Sequence, residues 1–68
     1  MTEGEEQALR AKLTELLQEH RDLDSAITAM AEQGVEDQLQ ITRLKKRKLQ
    51  LRDQITGIED ALLPDIFA

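Results

Sequence analysis

The seven residues AEQGVED, at positions 31–37, decide the fold, because they separate a pair of long stretches with the same apolar rhythm. Gly34 is the residue able to take positive φ at a helix C-terminus, and Glu36 and Asp37 place negative charge where a new helix begins. A turn over about 33–36 is expected. Reading back towards the N-terminus, Leu9, Leu13, Leu16, His20, Leu23, Ile27 and Met30 alternate at steps of four and three, the a and d positions of a heptad repeat. Reading forward, Ile41, Leu44, Lys48, Leu51, Ile55, Ile58 and Leu62 keep the same alternation. Each series has one polar member, His20 in the first and Lys48 in the second.

The ends of both stretches carry their own signals. Thr2 offers a hydroxyl cap, and Glu3, Glu5 and Glu6 put negative charge at the positive end of a helix dipole. Pro64 disfavours helical geometry at Leu63 and has no N–H to donate. The reading is therefore a helix over about 3–32, a second over about 37–62, and a short apolar tail at 64–68. A turn of a few residues between them forces an antiparallel arrangement. The expected fold is all-α, a coiled-coil-like hairpin occupying 1–63, with Gly34 at its tip.

The two series register when paired across such a hairpin. Met30 meets Ile41, Ile27 meets Leu44, Leu16 meets Ile55, Leu13 meets Ile58 and Leu9 meets Leu62, while His20 and Lys48 fall in adjacent central layers. The same register brings Asp24 towards Lys45, and Arg10 towards Glu59. The polar layers are expected to specify register at some cost in stability.

Composition narrows what such a hairpin does. The chain has 68 residues, no cysteine, one aromatic residue (Phe67), 34% charged residues and a net charge of −5. Disulfides and thiolate chemistry are excluded. No apolar run approaches the roughly 18 residues of a membrane span, and MTEGEEQ lacks the positive start of a signal peptide, so a cytoplasmic protein is expected.

The segments EHRDLDSAI at 19–27 and LKKRKLQLRDQI at 44–55 together resemble the signature of the YdcH-like family, small bacterial proteins of unknown function. The resemblance covers most of the chain. It implies a long helical hairpin and neither a reaction nor a ligand. Arg52 stands where that family more often has Lys, and Gln54 where Glu is common. The C-terminal LLPDIFA is a less diagnostic portion of the likeness.

His20 is the single histidine and stands four residues before Asp24 on the apolar seam; no nucleophile or second acid joins it in the pattern, so a structural role is expected and an enzyme is not. No cofactor, metal or small-molecule substrate is expected. Arg43, Lys45, Lys46, Arg47, Lys48 and Arg52 wrap around the second helix, where Glu15, Glu19, Asp22 and Asp24 of the first are expected to offset much of the charge. Outside the seam, Leu17, Leu39 and Leu49 remain as apolar surface, joined by Ile66 and Phe67 of the tail. Burying each further leucine contributes about 1.5–3 kcal/mol, which favours self-association into a four-helix arrangement. The tail is expected to fold back over Leu9 and Leu62. The preferred reading is a self-associating interaction or accessory scaffold module. The rivals are a nucleic-acid-associated regulator using the basic cluster, and a finger that inserts its acidic tip, Glu32, Glu36 and Asp37, into a large enzyme.

Overall fold

The computed structural model describes residues 1–34 and 36–62; Val35 and residues 63–68, with them the tail residues Ile66 and Phe67, lie outside the described residues. Two helices make up the fold, α1 (Glu3–Glu32) and α2 (Gln38–Leu62), packed side by side as an antiparallel hairpin 47 Å in its longest dimension. That length matches thirty residues at about 1.5 Å each.

Both helix starts are held by side chains. The Glu5 N–H donates to Thr2 Oγ1 at 3.1 Å, and the Glu6 N–H donates to the Thr2 carbonyl at 3.0 Å. At α2 the Gln40 N–H donates to Asp37 Oδ1 at 3.0 Å, and the Ile41 N–H to the Asp37 carbonyl at 3.1 Å. Asp37 thus caps α2 from outside it, and the helix starts at Gln38, one residue later than the sequence suggested. Capping requires extended backbone at the cap residue, which keeps Asp37 out of the first turn.

Between the caps the chain reverses through Gln33 and Gly34. The Gly34 N–H donates to the Ala31 carbonyl at 3.3 Å, and Gly34 has φ of 69°. A side chain at that φ would crowd the following carbonyl, so glycine belongs there.

The partly or fully buried positions among the described residues are the fourteen heptad residues and Glu6. Three are buried: Leu16, Leu51 and Ile55, with Leu13, Leu23 and Ile58 packed against them. This core lies on the side of the seam away from the turn. Towards the turn the seam meets His20 and Lys48, whose polar ends need water or a partner and so keep those layers partly open.

Candidate functional site

The heptad positions define two broad faces. One is formed by the e and b positions: Arg10, Leu17, Asp24 and Ala31 with Thr14, Arg21 and Thr28 on α1, and Lys45, Arg52 and Glu59 with Thr42, Leu49 and Thr56 on α2. The other, formed by the g and c positions, carries Lys12, Glu15, Glu19 and Asp22 on α1 opposite Arg43 and Arg47 on α2. The first face carries cations in excess. The second is balanced.

On the first face lies an open groove of about 510 Å³ lined by His20, Ile27, Lys45, Lys48, Leu49 and Arg52. Lys48 helps form it. Its seam position cannot hold an ammonium in contact with leucines, so the side chain leaves the interface and donates to Asp24 Oδ1 at 2.5 Å. This hydrogen bond and the charge of Lys48 hold the Asp24 carboxyl below its ordinary 3.8, against an opposing effect of desolvation and with the smallest contribution from nearby His20. Asp24 is thereby engaged across the hairpin.

Asp24, expected to meet Lys45, pairs instead with Lys48, whose ammonium was expected to reach solvent or a carboxylate such as Asp24 or Glu19 and takes the first of these. Arg10, expected to meet Glu59, donates instead to Glu6 Oε1 at 2.9 Å, one turn away on its own helix. A pair at i and i+4 forms without fixing a second helix, which favours it over a pair across the hairpin.

The basic cluster is also less offset than its facing acids suggested. Arg47 donates to Glu19 Oε2 at 3.2 Å on the second face, and Lys48 takes Asp24. Glu15 lies with Lys12 at 3.7 Å, and Asp22 accepts from Gln18 at 2.9 Å, so neither reaches α2. Arg43, Lys45, Lys46 and Arg52 make no ion pair with any of the described residues. Two of these four, Lys45 and Arg52, line the groove.

Of the leucines outside the seam, Leu17 is 46% exposed and Leu49 57%, both on the groove's face, while Leu39 at 63% stands near the turn on the outer side of α2. The acidic tip is divided in role: Asp37 caps α2, and Glu32 and Glu36 are exposed. Among the described residues there is no group of three or more His, Cys, Asp or Glu side chains placed to hold a metal, and no helix long and apolar enough to cross a membrane.

The cap formed by Asp37 and Gln40 was legible in advance, since an acidic residue followed three positions later by glutamine is a capping-box pattern. The groove was not, because it depends on which way Lys48 leaves the seam.

Among known proteins, a family model described as "Protein of unknown function (DUF465)" matches residues 13–59. No curated protein and no solved structure matches the chain.

Proposed function

We propose that this helical hairpin, a chain that belongs to the DUF465 family of proteins of unknown function, works without chemistry of its own, by docking an acidic and partly apolar protein surface. Both segments that carry the YdcH-like resemblance lie inside the matched residues 13–59.

One observation carries the reading: half-exposed Leu17 and Leu49 share a face with Lys45 and Arg52, which no carboxylate among the described residues engages. Apolar area supplies affinity on association, and unpaired cations at its edge select a partner of opposite charge and speed encounter. An enzymatic reading finds less support, since Asp24, the acid nearest His20 on the seam side, is bound to Lys48. Nucleic acid is the weaker alternative for the basic cluster: the chain's net charge is −5 and no aromatic side chain stands among the cations to stack bases.

The same face bears on self-association. Two copies stacked through it would bring together surfaces that both carry cations in excess, which disfavours a second copy there. An assembly of identical hairpins, if formed, would use the charge-balanced face or the exposed Leu39. Accessory membership of a larger assembly agrees best with these charges.

The test is affinity capture with the 68-residue chain carrying Leu17→Glu and Leu49→Glu, beside a Leu39→Glu control. Loss of the same captured proteins with the first variant only, at unchanged helix content, supports the reading. Identical capture by both variants refutes it. Light scattering over a range of concentrations separates self-association from capture of another protein.

A further inference from the structure

The outer row of each helix on the groove's face has one long side chain between two short ones, Arg21 between Thr14 and Thr28 on α1 and Leu49 between Thr42 and Thr56 on α2. With Leu16 and Ile55 packed in one core cluster of antiparallel helices, Arg21 and Leu49 stand nearly opposite each other. The threonines leave the sides of the groove low beyond that pair. Within it, His20, Ile27 and Lys48 are only half-buried, so one edge of the seam stays uncovered. A third helix covers such an edge by laying its apolar stripe between the other two. An extended segment needs a strand edge to bond to, and the described residues contain no strand.

The charges specify what that helix carries. Lys45 and Arg52 stand seven residues apart, about 10 Å along α2 at 1.5 Å per residue, and Arg21 stands at an intermediate level on α1. None of the three makes an ion pair with any of the described residues, whereas Lys48 is matched by Asp24. Seven residues is close to two turns of helix, so acids at that spacing share one edge and meet Lys45 and Arg52 together. An acid on the opposite edge meets Arg21. Between the edges, an apolar stripe meets the exposed Leu17 and Leu49.

We propose, on the docking reading, that the partner's segment is an α-helix lying along the groove as a third member of the packing. Its apolar side chains cover Leu17, Ile27 and Leu49, and its acidic side chains, seven residues apart, face Lys45 and Arg52. The excess of cations that disfavours a second copy on this face selects such a helix.

The probe is a fluorescent synthetic peptide of three heptads, with Leu at a and d and Glu at e and g, whose own glutamates repel and keep it from pairing with itself near neutral pH. Titrated with the 68-residue chain, it should show saturable anisotropy and more helix by circular dichroism than the two components apart. A companion peptide with the same leucines and glutamates but a proline inside every heptad cannot form the helix and should not bind. Lys45→Glu with Arg52→Glu is expected to weaken binding about tenfold or more. Arg43→Glu with Lys46→Glu, an equal change of charge outside the groove, should weaken it less than about twofold. All four positions are exposed, so the hairpin stays folded in both variants. Equal binding of the proline peptide, or equal loss in both double variants, overturns the proposal, since charge alone would then hold the peptide. Absence of binding by the helical peptide overturns it too. In that case, capture that still depends on Leu17 and Leu49 leaves the docking reading standing, and capture that does not removes both.

Discussion

Lys48 and Asp24 join the two helices across the seam, with Nζ 2.5 Å from Oδ1, although Lys48 occupies a position where its neighbours along the heptad series are leucine and isoleucine. A lysine there gives up apolar contact and returns only a partly exposed ion pair, and such pairs contribute little to stability. Lys48→Leu is therefore expected to raise the melting temperature, and circular dichroism on heating measures it. A sharply lower melting temperature would show that the pair outweighs the missing apolar contact. The substitution is further expected to loosen uniqueness of register or assembly, which light scattering and amide spectra report.

The same pair sets a pH dependence. Asp24 has its carboxyl pKa lowered in the folded state, so its contribution is complete above the unfolded value near 3.8 and fades as pH falls from there through the folded value. The melting temperature of Asp24→Asn should lie below that of the parent near neutral pH, and the gap should close as pH falls from 3.8 through the lower folded value, below which both states of the parent carry a protonated carboxyl. A gap of constant size at every pH would remove the pair from the account of stability.

Leu51 is wholly buried and Leu16 nearly so. Truncating either to alanine is expected to cost about 2–5 kcal/mol. At roughly 0.05–0.15 kcal/mol per residue a chain of this length has about 3–10 kcal/mol in total, so either variant should lose a large share of its stability. Leu39→Ala, at an exposed site, should change stability by less than about 0.5 kcal/mol. Urea denaturation of the three variants distinguishes these outcomes.

Two positions beside the turn act through the backbone. Gly34→Ala forces a Cβ into φ of 69° and is expected to cost about 1–2 kcal/mol, while Asp37→Ala removes the acceptor for the Gln40 N–H and costs about 1 kcal/mol. Asp37→Asn keeps an acceptor and should lose less. Thermal melts of the three variants decide whether the reversal rests on these groups.

Much of this architecture was legible because it depends on period and on backbone chemistry. Leu9 to Met30 and Ile41 to Leu62 repeat at the spacing that places one edge of a helix against its neighbour, and Gly34 interrupts them with the one residue suited to left-handed backbone. The ion pairs were harder to read. Lys45 and Lys48 both stand within reach of Asp24, and Glu6 and Glu59 both near Arg10; the choices differ by a few tenths of a kcal/mol and are made by side-chain length and exit direction. The groove inherits that difficulty, since its wall includes the very lysine whose exit was undetermined.

The tight packing of Leu16, Leu51 and Ile55 lies towards the end of the hairpin where the two strands of chain are not joined. Covalent linkage and firmness are thus in different places, the first at the turn and the second from the middle of the hairpin outward. Amide hydrogens around Leu13–Leu16 and Leu51–Ile58 should be the last to exchange with solvent, while those flanking Gly34 exchange early despite their short tether. Thermal opening is then expected as a separation of the helices next to their own turn, leaving the buried middle of the seam clasped until the whole chain unfolds.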